Sequence, residues 1–263
     1  MKTTFNFFTF AFCLVLLSCS SSDDGTNVID DDDNGNATDA VSTPTSAFDE
    51  FNSSSVTIAY DEDEVTIMTT ALPNHTSPYW NTNQDLYIDP IIAVEENISP
   101  GLIQEGNYTL TVPAAPALAA SSSATGLGAI GISVSGVPIY NQSEGPTDVT
   151  EGTASGFDWA GGHNGPQGYH YHVEARDVGE TSPLPIDDDR LLGIMADGFL
   201  IYGRKCNATG DYPTDFDESG GHFSLTQHGD EAFYHYHIIN EIYLNQYYLL
   251  FGVDLQGTPN SIQ

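Results

Sequence analysis

Residues 168–175 read GYHYHVEA, and residues 233–240 read FYHYHIIN. Four of the chain's 8 histidines fall in these two stretches, so their placement is patterned rather than scattered. Polar and aromatic residues alternate with period 2, which is the period of a β-strand. His170 and His172 then share one face of a strand, and Tyr169 and Tyr171 share the other. The same division sets His235 and His237 against Tyr234 and Tyr236.

Working outward, the two stretches belong to longer matching segments. LGAIGISVSGVPIYN from Leu127 aligns without a gap on DRLLGIMADGFLIYG from Asp189, with Gly131 on Gly193, Gly136 on Gly198 and Tyr140 on Tyr202. FDWAGGH at 157–163 aligns on FDESGGH at 216–222, and YHYH at 169 aligns on YHYH at 234. Three matched blocks in the same order imply an internal duplication over about 127–173 and 189–238. Two similar β-units about a pseudo-two-fold axis are expected.

The remainder supports an all-β fold. SVTIAY and EVTIMTT are β-branched alternating runs joined by DED, the pattern of a hairpin. NYTLTV and YYLLFGVDL are further strand candidates, and no window of helical length keeps a 3.6-residue period free of breakers. A single β-rich domain over 50–263 is expected.

Before it, residues 1–18 read as a lipoprotein signal peptide. Lys2 precedes an apolar run too short to span a bilayer, and LLSC at 16–19 has the form of a lipidation motif with Cys19 as the anchor. SSSDDG follows Cys19, like the Ser/Asp-rich export signals of Bacteroidetes lipoproteins. The expectation is a lipid-anchored, surface-exposed protein of the cell outer membrane. It would touch the membrane through its N-terminal lipid only. Residues 19–49 lack any hydrophobic period and are rich in Asp, Asn, Ser and Thr, the composition of a solvated tether.

The chain has 37 acidic residues against 5 basic ones, a formal net charge of −32. Such a surface repels phosphate backbones, which excludes nucleic acid as a partner. Cys13 lies in the signal segment and Cys19 is the anchor, so Cys206 is left without a disulfide partner.

Same-face residues on a strand sit roughly 6.5–7 Å apart, close enough for two imidazoles to converge on one ion. Each repeat adds a third imidazole from its Gly-Gly-His, His163 or His222. The candidate metal ligands are therefore His163, His170, His172, His222, His235 and His237. His75 in PNHTSPYW and the unmatched His228 are additional candidates. Asp158 and Asp217 each lie five residues before a Gly-Gly-His histidine, where they would either orient an imidazole or form a turn. Imidazole donors suit zinc, copper, nickel or iron, and with no cysteine in the motif copper and zinc lead.

Catalysis has a weaker basis. Asp197 stands where the first repeat has Ser135, and His228 has no counterpart, so both break the symmetry. No nucleophile elbow, phosphate loop or dinucleotide fingerprint occurs. Trp80, Trp159 and the many tyrosines suggest a third reading, a glycan-binding module of a surface assembly for polysaccharide uptake.

These motifs resemble the YHYH-domain family of secreted proteins. The resemblance runs from LPNHTSPYW at 72 through GGHNGPQGYHYH at 161 and GIMADGFLIYG at 193 to YYLLFGVDLQG at 247–257. It implies an extracellular, metal-related domain whose motif positions include His75 and the six histidines above.

Overall fold

The computed structural model describes residues 42–91 and 97–263. The signal segment, Cys19 and most of the expected tether lie outside those residues.

A 3-10 turn at Thr45–Glu50 leads into strands β1 (Val56–Tyr60), β2 (Glu64–Thr69), β3 (Tyr108–Pro113) and β4 (Leu118–Ser123). The first of the two aligned segments contains β5 (Gly131–Ser133), β6 (Pro138–Ile139), β7 (Ser143–Glu144), β8 (Thr147–Asp148), the short helix α1 (Glu151–Ala154), β9 (Gly162–Gly165) and β10 (Gly168–Tyr171). The second contains β11 (Leu191–Met195), β12 (Leu200–Tyr202), β13 (Gly221–Ser224) and β14 (Phe233–His237), and β15 (Leu255–Gly257) follows. The fold is all-β. Among the described residues no helix is long and apolar enough to cross a membrane.

The expected hairpin forms, with β1 antiparallel to β2 and Tyr60 opposite Val65. Val65 and Ile67 face inward and the residues between them outward, as period-2 alternation dictates. With β3 they make a three-stranded sheet whose inner residue Leu110 sits opposite Ile67.

The principal sheet has eight strands in the order β13-β14-β12-β11-β5-β6-β10-β9, and its pairings read the same from either edge. Gly131 pairs with Ile139, and their repeat counterparts Gly193 and Ile201 pair with each other. Tyr171 runs parallel beside Ile139, as Tyr236 does beside Ile201. At the middle, Ile132 pairs antiparallel with Ile194, its own counterpart in the alignment, as a two-fold axis between them requires. Gly131 and Gly193 flank this line because a β-carbon on either would press into the facing backbone carbonyl.

The tyrosines of both YHYH stretches point into the core, Tyr169, Tyr171, Tyr234 and Tyr236 all being buried. Each ring brings 150–250 Å² of surface, so the four are a large part of the apolar filling. The tether ends earlier than its composition suggests. Ala47 and Phe48 are buried, and the Thr43 amide donates to the Ala114 carbonyl, so residues 43–49 are packed onto the body.

Candidate metal centres

The histidines form two separate clusters, one toward each edge of the eight-stranded sheet, rather than one shared six-histidine site. In the first, β9 and β10 pair so that His163 lies directly opposite His170, and His172 follows on the same face. Gly161 makes the turn into β9 at φ 86°, a conformation that a side chain resists, and Gly220 does so for β13 at φ 71°. In the second cluster β13 and β14 place His222 opposite His235, with His237 beyond.

Each cluster gains a donor that the histidine motifs do not contain. In the first it is Glu144 of β7, whose Oε2 lies 3.0 Å from His172 Nε2, 3.4 Å from His163 Nε2 and 3.6 Å from His170 Nε2. In the second it is Cys206, grouped with His222 and His237 with donor atoms all within 4.8 Å of one another. His237 Nε2 lies 3.3 Å from His222 Nε2 and 3.1 Å from His235 Nε2. Cys206 is therefore the counterpart of Glu144, not an idle buried thiol. The signal was in the sequence, because the ungapped register that matches Tyr140 to Tyr202 also sets Glu144 on Cys206.

The imidazoles are oriented mainly by backbone carbonyls. His170 Nδ1 donates to Gly168 O, His172 Nδ1 to Asn141 O, His235 Nδ1 to Phe233 O and His237 Nδ1 to Gly203 O. A carbonyl only accepts, so each of these rings carries its proton on Nδ1 and turns a bare Nε2 lone pair toward its cluster. His222 is set instead by Asp215, whose Oδ1 lies 2.9 Å from its Nδ1. Burial pushes the pKa of His170 down to about 4, of His235 to about 3 and of His237 to about 4. The three imidazoles gathered around it hold the Glu144 carboxyl well below the usual carboxylate range.

Lone pairs facing one another at 3.1–3.3 Å repel unless a cation lies between them. An ion with bonds of about 2.0–2.1 Å in tetrahedral geometry spaces its donors roughly 3.3 Å apart, close to the spacings from Glu144 Oε2 to its three imidazoles and from His237 Nε2 to its two. His163 Nε2 and His170 Nε2 are buried and make no hydrogen bond, their approaches to Glu144 lacking the geometry for one. Both groups could hold a metal ion.

Aromatic walls repeat as well. Phe157 stacks on His172 at 5.3 Å between ring centres, and its counterpart Phe216 lies 5.7 Å from His237. Tyr140 stacks on His170 at 3.9 Å, and Tyr202 meets His235 edge-on at 5.0 Å. Each cluster also adjoins an opening. A cavity of about 390 Å³ reaches Glu144 and His163, and one of about 420 Å³ reaches Cys206, Asp215 and His222.

The other candidates have different roles. His75 lies outside both clusters: its Nε2 is 2.7 Å from Tyr171 Oη and its Nδ1 2.8 Å from Thr76 O, so both nitrogens are engaged in the core. His228 braces the N-terminal turn, with Nε2 2.7 Å from Glu50 Oε1 and Nδ1 2.8 Å from Tyr202 Oη. Asp197 is buried rather than in an open cleft, and its Oδ2 accepts from Tyr236 Oη and the Gly257 amide. Ser135, at the matching position, meets Tyr171 Oη at 3.0 Å, so the exchange changes a tyrosine's partner and not a reacting group. Trp80 and Trp159 are buried with their Nε1 atoms bonded to the His75 and Thr76 carbonyls, so neither offers a face to a sugar.

Asp158 and Asp217 touch no imidazole of the clusters by any hydrogen bond. Asp158 Oδ1 accepts from the Ala160 and Gly162 amides and its Oδ2 from Tyr169 Oη and Ser77 Oγ. Asp217 likewise accepts from Ser219 N, Gly221 N and Tyr234 Oη. The turn role is the correct one, extended by an anchor for the first tyrosine of each YHYH. Burial raises the Asp158 pKa to about 6, above the 3.8 of an exposed aspartate. Its stability contribution is therefore present below pH 4 and lost as pH rises through about 6. Compared with Asp158→Asn in metal-free protein, the unmodified chain should lose roughly 2–3 kcal/mol between pH 4 and pH 7. Denaturant unfolding at the two pH values measures this, and equal slopes with pH would refute it.

No curated protein and no solved structure matches the chain. Residues 109–214 match the family described as YHYH protein, and that segment spans Glu144, His163, His170, His172 and Cys206. The match agrees with the resemblance that the motifs of this segment carry.

Proposed function

We propose that the protein is a surface-anchored lipoprotein that binds two transition-metal ions, copper or zinc, one in each histidine cluster. The observation that carries this reading is the donor spacing: three Nε2 atoms lie 3.0–3.6 Å from Glu144 Oε2 in the first cluster, and two lie 3.1–3.3 Å from His237 Nε2 in the second. Imidazole, carboxylate and thiolate together suit zinc and copper far better than calcium or magnesium. The two sites lie in the two aligned segments, and they share aromatic walls and carbonyl-oriented rings.

Anchoring by a lipid on Cys19 would hold the domain at the cell outer membrane, facing outward, where metal capture or sensing is chemically useful. The 390 and 420 Å³ openings beside the clusters give an ion a route in and out. The enzymatic alternative loses its motivation, because Asp197 and His228 are engaged in internal hydrogen bonds. Stacking of glycans on the tryptophans loses its motivation in the same way.

Elemental analysis of protein purified from metal-replete medium should find two ions per chain. His170→Ala or His235→Ala should each lower this to one, and the double variant to none. A chain that carries no stoichiometric metal would end this reading.

A further inference from the structure

We propose that the two clusters sort ions by their non-histidine donor, the Cys206 cluster taking monovalent copper and the Glu144 cluster taking divalent zinc. The proposal rests on the two-site reading above and adds selectivity to it. Three imidazoles, an aromatic pair and carbonyl-oriented rings are common to both clusters. The chemical change is concentrated at one aligned position, where Glu144 supplies an oxygen and Cys206 a sulfur. Thiolate is a soft donor that selects cuprous copper and zinc, and carboxylate is a hard one that does not favour cuprous copper.

Charge and burial divide the ions further. Cys206 is 1% exposed and lines the same opening as His222 and Asp215. A thiolate, the neutral imidazoles of His222 and His237 and a monovalent ion have no net charge, so the complex costs little to hold out of water. Zinc on the same donors would carry one net positive charge, countered by the Asp215 carboxylate on His222, which is 71% exposed and screened by solvent. The Glu144 side chain is 25% exposed, so a zinc complex with net charge +1 there is partly solvated and lies in the field of a strongly acidic chain. Loading the second cluster converts the Cys206 thiol to a copper thiolate and releases one proton to solvent. No electron moves, because copper enters and stays monovalent.

The test gives metal-free full-length protein one equivalent of cuprous ion and one of zinc together, without oxygen, and records X-ray absorption at both metal edges. Expected are a sulfur neighbour at copper and only nitrogen and oxygen neighbours at zinc. Sulfur at the zinc edge, or copper with nitrogen and oxygen alone, overturns the proposal while leaving two-site binding intact. Binding of neither ion overturns the two-site reading itself. The unmodified chain suffices for this, so no variant has to fold. As a second arm, Cys206→Ser should weaken cuprous binding by more than the roughly 10–100-fold typical of losing an outer-sphere hydrogen bond. Glu144→Gln should weaken zinc and spare copper. Zinc retained by Cys206→Ser serves as the fold control, and equal loss of both ions from that variant counts against the sorting.

Discussion

Stripping both ions with a chelator should lower the melting temperature by about 15–30 °C, and restoring zinc and copper should recover it. The size follows from linkage. An ion that binds only the folded chain, present at 1,000 times its dissociation constant, adds about 4.1 kcal/mol per site, or about 8 kcal/mol for two independent sites. For a domain of 150–250 residues each kcal/mol moves the midpoint by about 2–4 °C. The apo chain is also left with three Nε2 atoms at 3.1–3.3 Å whose lone pairs face one another with no cation between them. Scanning calorimetry of replete, chelated and reloaded protein measures the effect. Superimposable melts would mean that the clusters hold their shape through packing alone. A fall of half the expected size, removed by His235→Ala but not by His170→Ala, would assign the stabilising ion to the Cys206 cluster.

How far this arrangement was legible differs from residue to residue. His-x-His alternation gives the strand and the split of faces directly, because side-chain direction in a strand depends on period alone. Matching Gly131, Ile139 and Tyr140 to Gly193, Ile201 and Tyr202 anticipated which residues pair, since equal spacing in two β-units imposes equal registers. Glu144 and Cys206 escaped notice because they share position but not chemistry, and the motif read as imidazole-only. Extending the register by four residues past the tyrosines finds them. Asp158 and Asp217 could not be resolved from spacing. Whether a carboxylate five residues before a histidine reaches its ring or curls back onto amides depends on the turn, and here the turn takes both oxygens. His75 sits on a motif position with no repeat partner, and only its three-dimensional surroundings tell a core histidine from a ligand. Ala47 and Phe48 are two apolar residues at the end of a polar run, too few for periodicity to separate them from the tether.

Arg204→Ala should cost about 3–5 kcal/mol of stability, the penalty typical of leaving one member of a buried ion pair alone. Arg204 Nε lies 3.1 Å from both carboxylate oxygens of Glu174, and the two side chains are only 8% and 5% exposed. The guanidinium also donates to Asn240 Oδ1 at 2.8 Å and lies 3.8 Å above the Tyr248 ring, so its loss removes packing as well as charge. Burial pushes the Glu174 carboxyl up even with Arg204 beside it, which shows how poorly the site tolerates that charge without its partner. Arg204→Lys should recover only part of the loss, because one ammonium cannot reach Glu174, Asp187 and Asn240 together as the three guanidinium nitrogens do. Replacing the pair together, Glu174→Gln with Arg204→Met, should recover most of it, since removing both charges leaves none buried and unpaired. Denaturant unfolding of the four proteins measures the cycle. A loss under about 1 kcal/mol for Arg204→Ala, or a double variant no better than the single, would refute the argument. Position gives the pair a second consequence. Glu174 lies two residues after His172, while Arg204 lies between Gly203, which accepts from His237, and Cys206. Breaking the pair frees the segment that aims both His237 and Cys206, so the ion of the second cluster should leave faster than that of the first. Chelator-exchange kinetics on Arg204→Ala resolve the two rates, and equal acceleration at both clusters would separate the ion pair from the geometry of the second site.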